Sequence, residues 1–459
     1  MDGSGCPGCK EREVRIAVLE RRLAVLEARL NTNSGNSSTP PSANPLGAKP
    51  PVIKKKSKRK RGSQPGHPPH LKKLLPPEQA TRIKAFVPQT CEDCDAKLPR
   101  EPGPDDPEPK RFQVVEVPPI VVDVIEYQAH GRTCQCGHMT QATIPAEIRQ
   151  HSVGPRLTAI LSYFSGCHGV SKRGVEEIAE RVFGVPIALG TVANLEQEVS
   201  AALEPSHREA LEAVRRAEVK YADETSWKQW GKLCWLWAAA TAGVAVFVIH
   251  AKRSVLGLKA ILGESIEGIV HSDRWHVYLQ VPEQFRQLCW AHLKRDFRKI
   301  VECGGPSAFV GRRGLRIVKD LFAAWHAYQA GTITRRRLQE LIAPLERRFS
   351  NTLVEGGLGD DARVAKFCEN LLNLQPALWN FARVEGVEPT NNYMERLVRL
   401  AVLWRRRSFG SNSEAGCRFV ERILTVVQTC RLRERNIVEY LTNAVQAHRS
   451  GQKYAKLLV

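Results

Sequence analysis

The chain has 459 residues, more than one ordinary domain of about 100–200 residues holds, so we expect two to four domains. Hydrophobic residues at 42% and charged residues at 25% match average globular usage, which excludes a wholly disordered, collagenous or membrane-embedded chain. The net charge of +20 indicates a polyanionic partner, with nucleic acid ahead of an anionic membrane.

Three features of the sequence bear on its location. The first residues lack the basic and then apolar order of a secretory signal peptide, so we expect a cytoplasmic protein. Thirteen cysteines, an odd number, argue against a disulfide scaffold. The longest uncharged run, residues 233–249, approaches the length of a membrane span but has turn-prone residues in its middle, Thr241-Ala242-Gly243. Two buried strands joined by a turn explain this run better than a membrane helix.

The N-terminal residues 1–31 contain an apolar helical seam, formed by Ile16, Leu19, Leu23, Leu26 and Leu30. Their alternating steps of three and four predict a short leucine zipper, and hence a homodimer or larger assembly. The alternative is a single amphipathic helix packed on the protein's own core. The Ser/Asn/Pro-rich linker that follows offers no such core nearby, which favours the zipper.

Residues 32–85 form this linker and a cationic arm. Seven residues within 54–61 are basic, namely Lys54, Lys55, Lys56, Lys58, Arg59, Lys60 and Arg61. No hydrophobic periodicity accompanies them, so we predict an unfolded arm that contacts DNA phosphates without reading sequence. The alternative is a solvated run of charge with no partner.

Two tight cysteine pairs flank a stretch rich in Val, Ile and Pro, residues 112–127, which we expect to form strands. Four thiols on two knuckles, Cys91-x-x-Cys94 and Cys134-x-Cys136, satisfy the four-ligand demand of structural zinc, with His138 as an alternative ligand. We therefore predict a zinc-ribbon-like DNA-binding module over residues 86–145 that holds one zinc ion. The remaining cysteines of the folded region occur singly and are expected to be buried: Cys167, Cys234, Cys289, Cys303, Cys368, Cys417 and Cys430.

Residues 150–210 are predicted to be helical. A helix around 175–182, a turn at 183–187 and a second helix at 190–199 have the form of a helix-turn-helix. An ordinary pair of antiparallel helices fits this spacing equally well, so DNA reading stays open from spacing alone.

The pattern changes to strands after residue 214. We predict strands at 219–225, 233–241, 244–250 and 268–273, with a helix at 254–262 before the last of them. Three consecutive strands, a helix and a further strand that ends in Asp is the order of a ribonuclease-H-like core. Because side chains alternate along a strand, only one of Asp223 and Glu224 can join Asp273.

A third acidic residue follows an Arg-rich helical region, residues 304–386. Pro389-Thr390-Asn391 is a helix-start signal, and the helix that follows puts Asn392, Glu395 and Arg399 on one face. A carboxylate beside an amide and a cation suits a site for metal and phosphate. The alternative is an exposed Glu/Arg ion pair.

The ordered set of these features resembles the insertion-sequence family 66 transposases over nearly the whole chain. The resemblance rests on the zipper, the linker, Gln64-Pro65-Gly66-His67, the cysteine pairs, Asp223-Glu224-Thr225, Ser272-Asp273, Cys289-Trp290-Ala291-His292, Asn391-Asn392-x-x-Glu395-Arg396 and the tail at 408–441. Two positions depart from the family's pattern. Arg274-Trp275 follows Asp273 where Gly is usual, and Thr390 stands where Asp is common.

The resemblance implies a DDE-type DNA transposase with the acidic triad Asp223, Asp273 and Glu395. The triad would hold two magnesium or manganese ions for strand cleavage and strand transfer at the ends of an insertion sequence, with Asp223 bridging both ions. Residues implied to position phosphate or DNA are Asn392, Arg396, Arg399, Arg405, Arg406 and Arg407. The implied partners are double-stranded DNA, both terminal repeats and target, and accessory transposition proteins at the bacterial nucleoid. We expect His271 and His292 to be packing residues.

The sequence thus predicts a multidomain protein of α+β and α/β type. The order is a coiled coil (1–31), the linker and arm (32–85), the zinc module (86–145), the helix-turn-helix (150–210), a ribonuclease-H-like core (214–303 and 387–410) interrupted by a helical insertion (304–386), and a helical C-terminus (411–459). The alternative function is that of a sequence-specific DNA-binding protein derived from a transposase with an inactive nuclease core. An RNA nuclease is a weaker alternative, because a recognition helix suits the major groove of DNA.

Overall fold

The computed structural model describes residues 15, 16, 19, 20, 74–454 and 456–458. The predicted basic arm and most of the predicted zipper lie outside these residues, although Ile16 and Leu19 of the zipper seam are helical and about half exposed. Internal contacts divide the chain into one unit of residues 53–122 and a second unit that contains the rest. Within the part of the chain that is described, no helix is long and apolar enough to cross a membrane.

The unit of residues 53–122 is mostly irregular where it is described. A single 3₁₀ turn, Pro77–Gln79, lies near its beginning, and Gln113 fastens this part of the chain through reciprocal hydrogen bonds of 2.9 Å with the backbone of Leu75. The prediction of strands over residues 112–127 was wrong, because none forms there. Pro118 and Pro119 cannot donate to a strand ladder, and apolar side chains such as Val114 lie exposed instead of packing on a partner.

After residue 122, the second unit continues with a short hairpin and four helices. Strands β1 (Gly131–Thr133) and β2 (Met139–Gln141) are antiparallel. The helices are α1 (Ala146–Arg149), α2 (Pro155–His168), α3 (Lys172–Phe183) and α4 (Leu189–Arg216). The predicted pair of helices is confirmed in α3 and α4, but α4 extends far beyond the predicted end. Its buried residues, among them Val199, Leu203 and Ala210, pack against the central sheet, which outweighs the Pro205 inside it.

A five-stranded mixed sheet forms the centre of this unit. Its strands are β3 (Val219–Gln229), β4 (Lys232–Ala240), β5 (Ala245–His250), β6 (Ile269–Ser272) and β7 (Arg286–Leu288). Their spatial order is β5-β4-β3-β6-β7, with β3, β4 and β5 antiparallel and with β6 and β7 parallel to β3. Helix α5 (Val255–Leu262) connects β5 to β6. The four predicted strands and this helix are confirmed, including the interpretation of residues 233–249 as two strands, whereas β7 was not predicted.

Helices cover both faces of the sheet and extend beyond it. Ala222, Trp237 and Val246 share a core with α4 and α5 on one face. Residues of the opposite face, such as Tyr221 and Phe247, pack against the C-terminal helices α11 (Asn392–Ser408) and α12 (Glu414–Leu432). The chain ends with α13 (Ile437–Ser450). Along the chain, a helical region with its own apolar core separates β7 from α11. It consists of α6 (Trp290–Cys303), α7 (Ala308–Gln329), α8 (Arg335–Gly357), α9 (Ala362–Asn373) and α10 (Asn380–Arg383).

Helix α12 also completes the edge of the sheet. Three of its side chains, spaced by four residues, accept hydrogen bonds from alternate backbone N–H groups of β5. The bonds are Ala245 N to Thr429 Oγ1 at 3.1 Å, Phe247 N to Thr425 Oγ1 at 3.1 Å and Ile249 N to Glu421 Oε1 at 2.5 Å. Because a helix repeats every four residues on one side and a strand every two, the helix provides the acceptors that a neighbouring strand would otherwise supply.

Candidate functional site

Two of the predicted acidic residues lie on neighbouring parallel strands, Asp223 within β3 just beyond its pairing with β6 and Asp273 directly after β6. In the pairing of β3 with β6, Tyr221 is opposite His271. The same register, continued by two residues, places Asp223 opposite Asp273. Both carboxylates therefore belong to the sheet face that carries Tyr221 and packs against α11, because side chains two residues apart point to the same side.

Glu395 approaches this face from the first turn of α11. The segment before the helix is fastened by buried hydrogen bonds: the Asn391 side chain donates to the Ala222 carbonyl at 2.8 Å, and the Asn391 N–H donates to Cys289 Sγ at 3.2 Å. In addition, the Trp290 N–H donates to the Pro389 carbonyl at 2.9 Å. Since Ala222 immediately precedes Asp223, these bonds hold the start of α11 beside Asp223.

The three carboxylates interact electrostatically. Burial holds the pKa of Asp223 well above its usual range, and the negative charges of Glu224, Asp273 and Glu395 raise it further. The set of donors, carboxylate oxygens that repel one another, has the chemistry of a site for a hard divalent cation. Among the residues that the structure describes, no group of three or more His, Cys, Asp or Glu side chains is drawn together tightly enough to coordinate an ion.

Glu224 points away from this face and has other partners. Its side chain is only 1% exposed and accepts two hydrogen bonds from Arg253, at 3.0 and 2.5 Å, and one from the Tyr278 hydroxyl at 2.7 Å. Burial raises its pKa, and the Asp273 charge adds to this, while Arg253 and Tyr278 oppose the shift. The charges of Asp273 and Glu395 both raise the pKa of Asp223. Of the two adjacent acids, Glu224 is thus the one occupied by structural partners, Arg253 and Tyr278.

Asp273 is held by contacts that sequence reasoning missed. Its carboxylate accepts the Trp275 N–H at 2.8 Å, and its backbone carbonyl accepts a bond from Arg286 at 3.1 Å. The Arg253 guanidinium lies 3.9 Å from the centre of the Trp275 ring and 4.8 Å from that of Trp235. Glu224 therefore connects to Asp273 through Arg253 and Trp275. The only signal in the sequence was the departure at Arg274-Trp275 from the glycine usual in the resembling family.

The two histidines near the motifs differ. His271 is fully buried and stacks on Tyr221 with ring centres 4.1 Å apart, and burial lowers its pKa to about 3. The prediction that it is a packing residue is confirmed. His292, in the first turn of α6, has its Nε2 3.9 Å from Glu395 Oε1, so it borders the acidic site instead of lying apart from it.

The predicted phosphate-positioning residues all lie on α11, and two of its arginines make structural contacts. Arg405 donates to the hydroxyls of Thr225 at 2.8 Å and Ser226 at 2.6 Å, which fastens α11 to β3. Arg407 donates to the His168 carbonyl at 2.7 Å. The remaining residues of the set are exposed: Asn392, Arg396, Arg399 and Arg406.

Each cysteine pair lies on its own tight turn. In the unit of residues 53–122, the Cys91 N–H donates to the Ala96 carbonyl at 2.9 Å, and hydrogen bonds from Asp93 and Cys94 lower the Cys91 pKa. In the second unit, Cys134 and Cys136 lie in the β1–β2 turn, closed by a 2.8 Å bond from the Cys134 N–H to the His138 carbonyl. The single cysteines are buried as predicted except Cys303, which is exposed near the end of α6.

Comparison with known proteins identifies the family of the chain. The model of the family "Transposase IS66 family" matches residues 150–418, and that of a family of unknown function (DUF6444) matches residues 10–73. An uncharacterized protein of Sinorhizobium fredii, y4qI, is 23% identical over 470 aligned residues, which cover 95% of this chain and 82% of that protein. The match to the IS66 family model covers more than half of this chain, so the chain belongs to the IS66 transposase family.

Proposed function

We propose that the protein is a DNA transposase that cleaves and joins DNA strands at the ends of an insertion sequence, and that its mixed sheet is a ribonuclease-H-like core. The observations that support this most strongly are the strand register, which places Asp223 opposite Asp273, and the charges of Asp273 and Glu395, which both act on the buried Asp223. Three mutually repelling carboxylates in a partly buried place are costly unless a cation offsets them. Membership of a transposase family supplies the substrate class, DNA.

The carboxylates would hold one or two magnesium or manganese ions, which when bound activate a water or a DNA 3′-hydroxyl and stabilise the departing oxygen. In this proposal there are two ions, and Asp223 would help to hold both of them. Asp273 acts from a loop fixed by Trp275 and Arg286. Glu395 acts from a helix whose start is fastened by Asn391.

Other parts of the chain would hold DNA in place. Arg396 and Arg399 are exposed on α11 within one turn of Glu395, where cations suit phosphate oxygens. We propose that the paired helices α3 and α4 and the basic arm add further contacts to the duplex. The thiols of Cys91, Cys94, Cys134 and Cys136 are proposed to hold one structural zinc, on the strength of the spacing of the two cysteine pairs in the sequence.

The test uses the full chain and a plasmid that carries the two ends of the insertion sequence encoding it. The wild type should nick this plasmid with Mg²⁺ or Mn²⁺ and not with EDTA. Glu395→Gln should abolish nicking and weaken Mn²⁺ binding in calorimetry, while Glu369→Gln, an exposed glutamate on α9, should change neither. A wild type that binds the DNA but never nicks it would support the alternative, a DNA-binding protein with an inactive core. Nicking by Glu395→Gln would remove that residue from the triad.

A further inference from the structure

Two large aromatic residues are exposed on neighbouring segments of the structure. Both have backbone conformations that such residues rarely adopt. Trp230, at the β3–β4 turn, has φ of 52° and is 69% exposed. Phe409, after α11, has φ of 59° and is 76% exposed. The left-handed region is unusual for bulky residues and persists only where the surrounding structure imposes it.

The local turns do not explain these residue types. Trp230-Gly231 has two successive positive φ angles, as in a hairpin turn that strongly prefers Asn-Gly or Gly-Gly. Phe409 occupies the left-handed position that ends α11, where Gly or Asn is usual. Neither ring is buried in a core. Both positions thus carry an exposed aromatic ring on a backbone that suits Gly or Asn better.

The two segments are joined to each other. The Trp230 N–H donates to the Ser411 carbonyl at 3.0 Å, and the Ser411 N–H donates to the Lys228 carbonyl at 2.8 Å. A side chain at Gly410 would collide with that same Lys228 carbonyl, so the close approach requires glycine. We call residues 228–232 and 408–411 together the aromatic tip.

The surroundings of the aromatic tip are cationic. Residues 226–233 and 404–414 contain Lys228, Lys232 and the run Arg405-Arg406-Arg407, against a single acidic residue, Glu414. Lys228, Lys232, Arg406 and Arg407 are exposed. Exposed aromatic rings bordered by cations suit nucleic acid, because the rings can stack on bases while the cations contact phosphates.

The position along the strand fits the same ligand. Trp230 lies seven residues beyond Asp223 on β3 and its turn, which at about 3.3 Å per residue is roughly 23 Å. At about 3.4 Å per nucleotide along a strand, this separation corresponds to roughly seven base pairs. DNA with a phosphate at the acidic site can therefore also reach the aromatic tip.

We propose that the aromatic tip is a base-stacking site, at which Trp230 and Phe409 stack on bases of DNA that are unpaired or unstacked. The inference rests on the proposed function for the identity of the partner and extends it by assigning a contact. Stacking on bases is tolerant of sequence, so the tip would favour distorted DNA over regular duplex without choosing a sequence.

The test compares two fluorescein-labelled 40-base-pair duplexes, one intact and one with a four-nucleotide single-stranded gap, by anisotropy with the full chain. The wild type should bind the gapped duplex about 10-fold more tightly for each ring that stacks. Trp230→Asn and Phe409→Asn introduce residues that their turns prefer, so both variants should fold at least as well as the wild type. They should lose the preference for the gap and keep most of the affinity for intact duplex and its salt dependence.

The matched control is Phe285→Ala, which removes an exposed aromatic ring from elsewhere in the same unit and should leave the gap preference unchanged. An unchanged preference in Trp230→Asn and Phe409→Asn would overturn the proposal. So would a loss of oligomer mass in sedimentation, which would make the tip a contact between copies of the chain. A wild type that prefers gapped DNA but does not nick the plasmid would instead refute only the proposed catalytic function.

Discussion

Replacing Arg253 by Met tests whether the contacts behind Asp273 support the acidic site. Methionine keeps an unbranched apolar stem between Trp235 and Trp275 but removes the charge. The Glu224 carboxylate, 1% exposed, is then left with the Tyr278 hydroxyl as its hydrogen-bond donor. Breaking a fully buried ion pair costs about 3–5 kcal/mol, and because Arg253 is itself 34% exposed we expect about 2 kcal/mol in the free energy of unfolding.

A double-mutant cycle with Glu224→Gln isolates the interaction. The double variant has no uncompensated buried charge, so it should be more stable than the sum of the two single losses by about 1–2 kcal/mol. Unfolding in urea, followed by tryptophan fluorescence, measures this coupling. In the nicking assay, Arg253→Met should lower the rate more than the affinity for DNA, because the Trp275 loop that orients Asp273 loses its support while the DNA-contacting residues stay in place.

Additivity of the two substitutions within about 0.5 kcal/mol would refute the reasoning, because it would mean that Arg253 and Glu224 do not interact appreciably. Trp275→Phe is the control for the stacking contact. It keeps an aromatic face for Arg253 and the backbone N–H for Asp273, so it should retain most of the nicking rate. A loss as large as that of Arg253→Met would mean that the indole, and not the connection to Glu224, supports the site.

Three further outcomes are expected. Asp223→Asn should abolish nicking and retain or increase DNA affinity in anisotropy, since it removes charge repulsion; a variant that still nicks would exclude Asp223 from the triad. Glu421 has its pKa raised by burial from 4.5 to about 7, so the native state binds its proton more tightly and stability should fall by about 3 kcal/mol as pH rises from 4 to 8. Glu421→Gln should flatten this dependence in hydrogen exchange of residues 245–250, and an unchanged slope would contradict the assignment. The purified protein should contain one zinc by mass spectrometry and Cys134→Ala none; equal zinc in both would exclude that ligand.

Sequence patterns predicted the strands that are long and apolar and failed where burial depends on distant partners. Strand β7 has only three residues, two of them polar, yet Arg286 and Gln287 are fully buried. The Gln287 amide donates to the Leu378 carbonyl at 3.1 Å and accepts the Phe381 N–H at 2.8 Å. Those partners lie more than 90 residues further along the chain, so no local pattern indicates that a glutamine here is inside.

For the candidate site, too, the sequence indicated some residues and could not indicate others. The resemblance to the transposase family implied Asp223, Asp273 and Glu395, whereas strand alternation by itself left Asp223 and Glu224 as alternatives. The partners of Glu224 could not be predicted, since Arg253 and Tyr278 are 29 and 54 residues from it. Residues 112–127 are the opposite case. Their composition favours strands, but no strand forms there because no neighbouring strand pairs with them.

The way in which α12 borders β5 has a consequence for shortened copies of the chain. A chain that stops before residue 414 would keep every carboxylate of the proposed triad, Asp223, Asp273 and Glu395. It would also leave the N–H groups of Ala245, Phe247 and Ile249 without their acceptors and open the sheet to strands of other molecules. Such a remnant would aggregate instead of competing for the ends of intact elements, so loss of the last helices silences a copy more completely than loss of a catalytic acid.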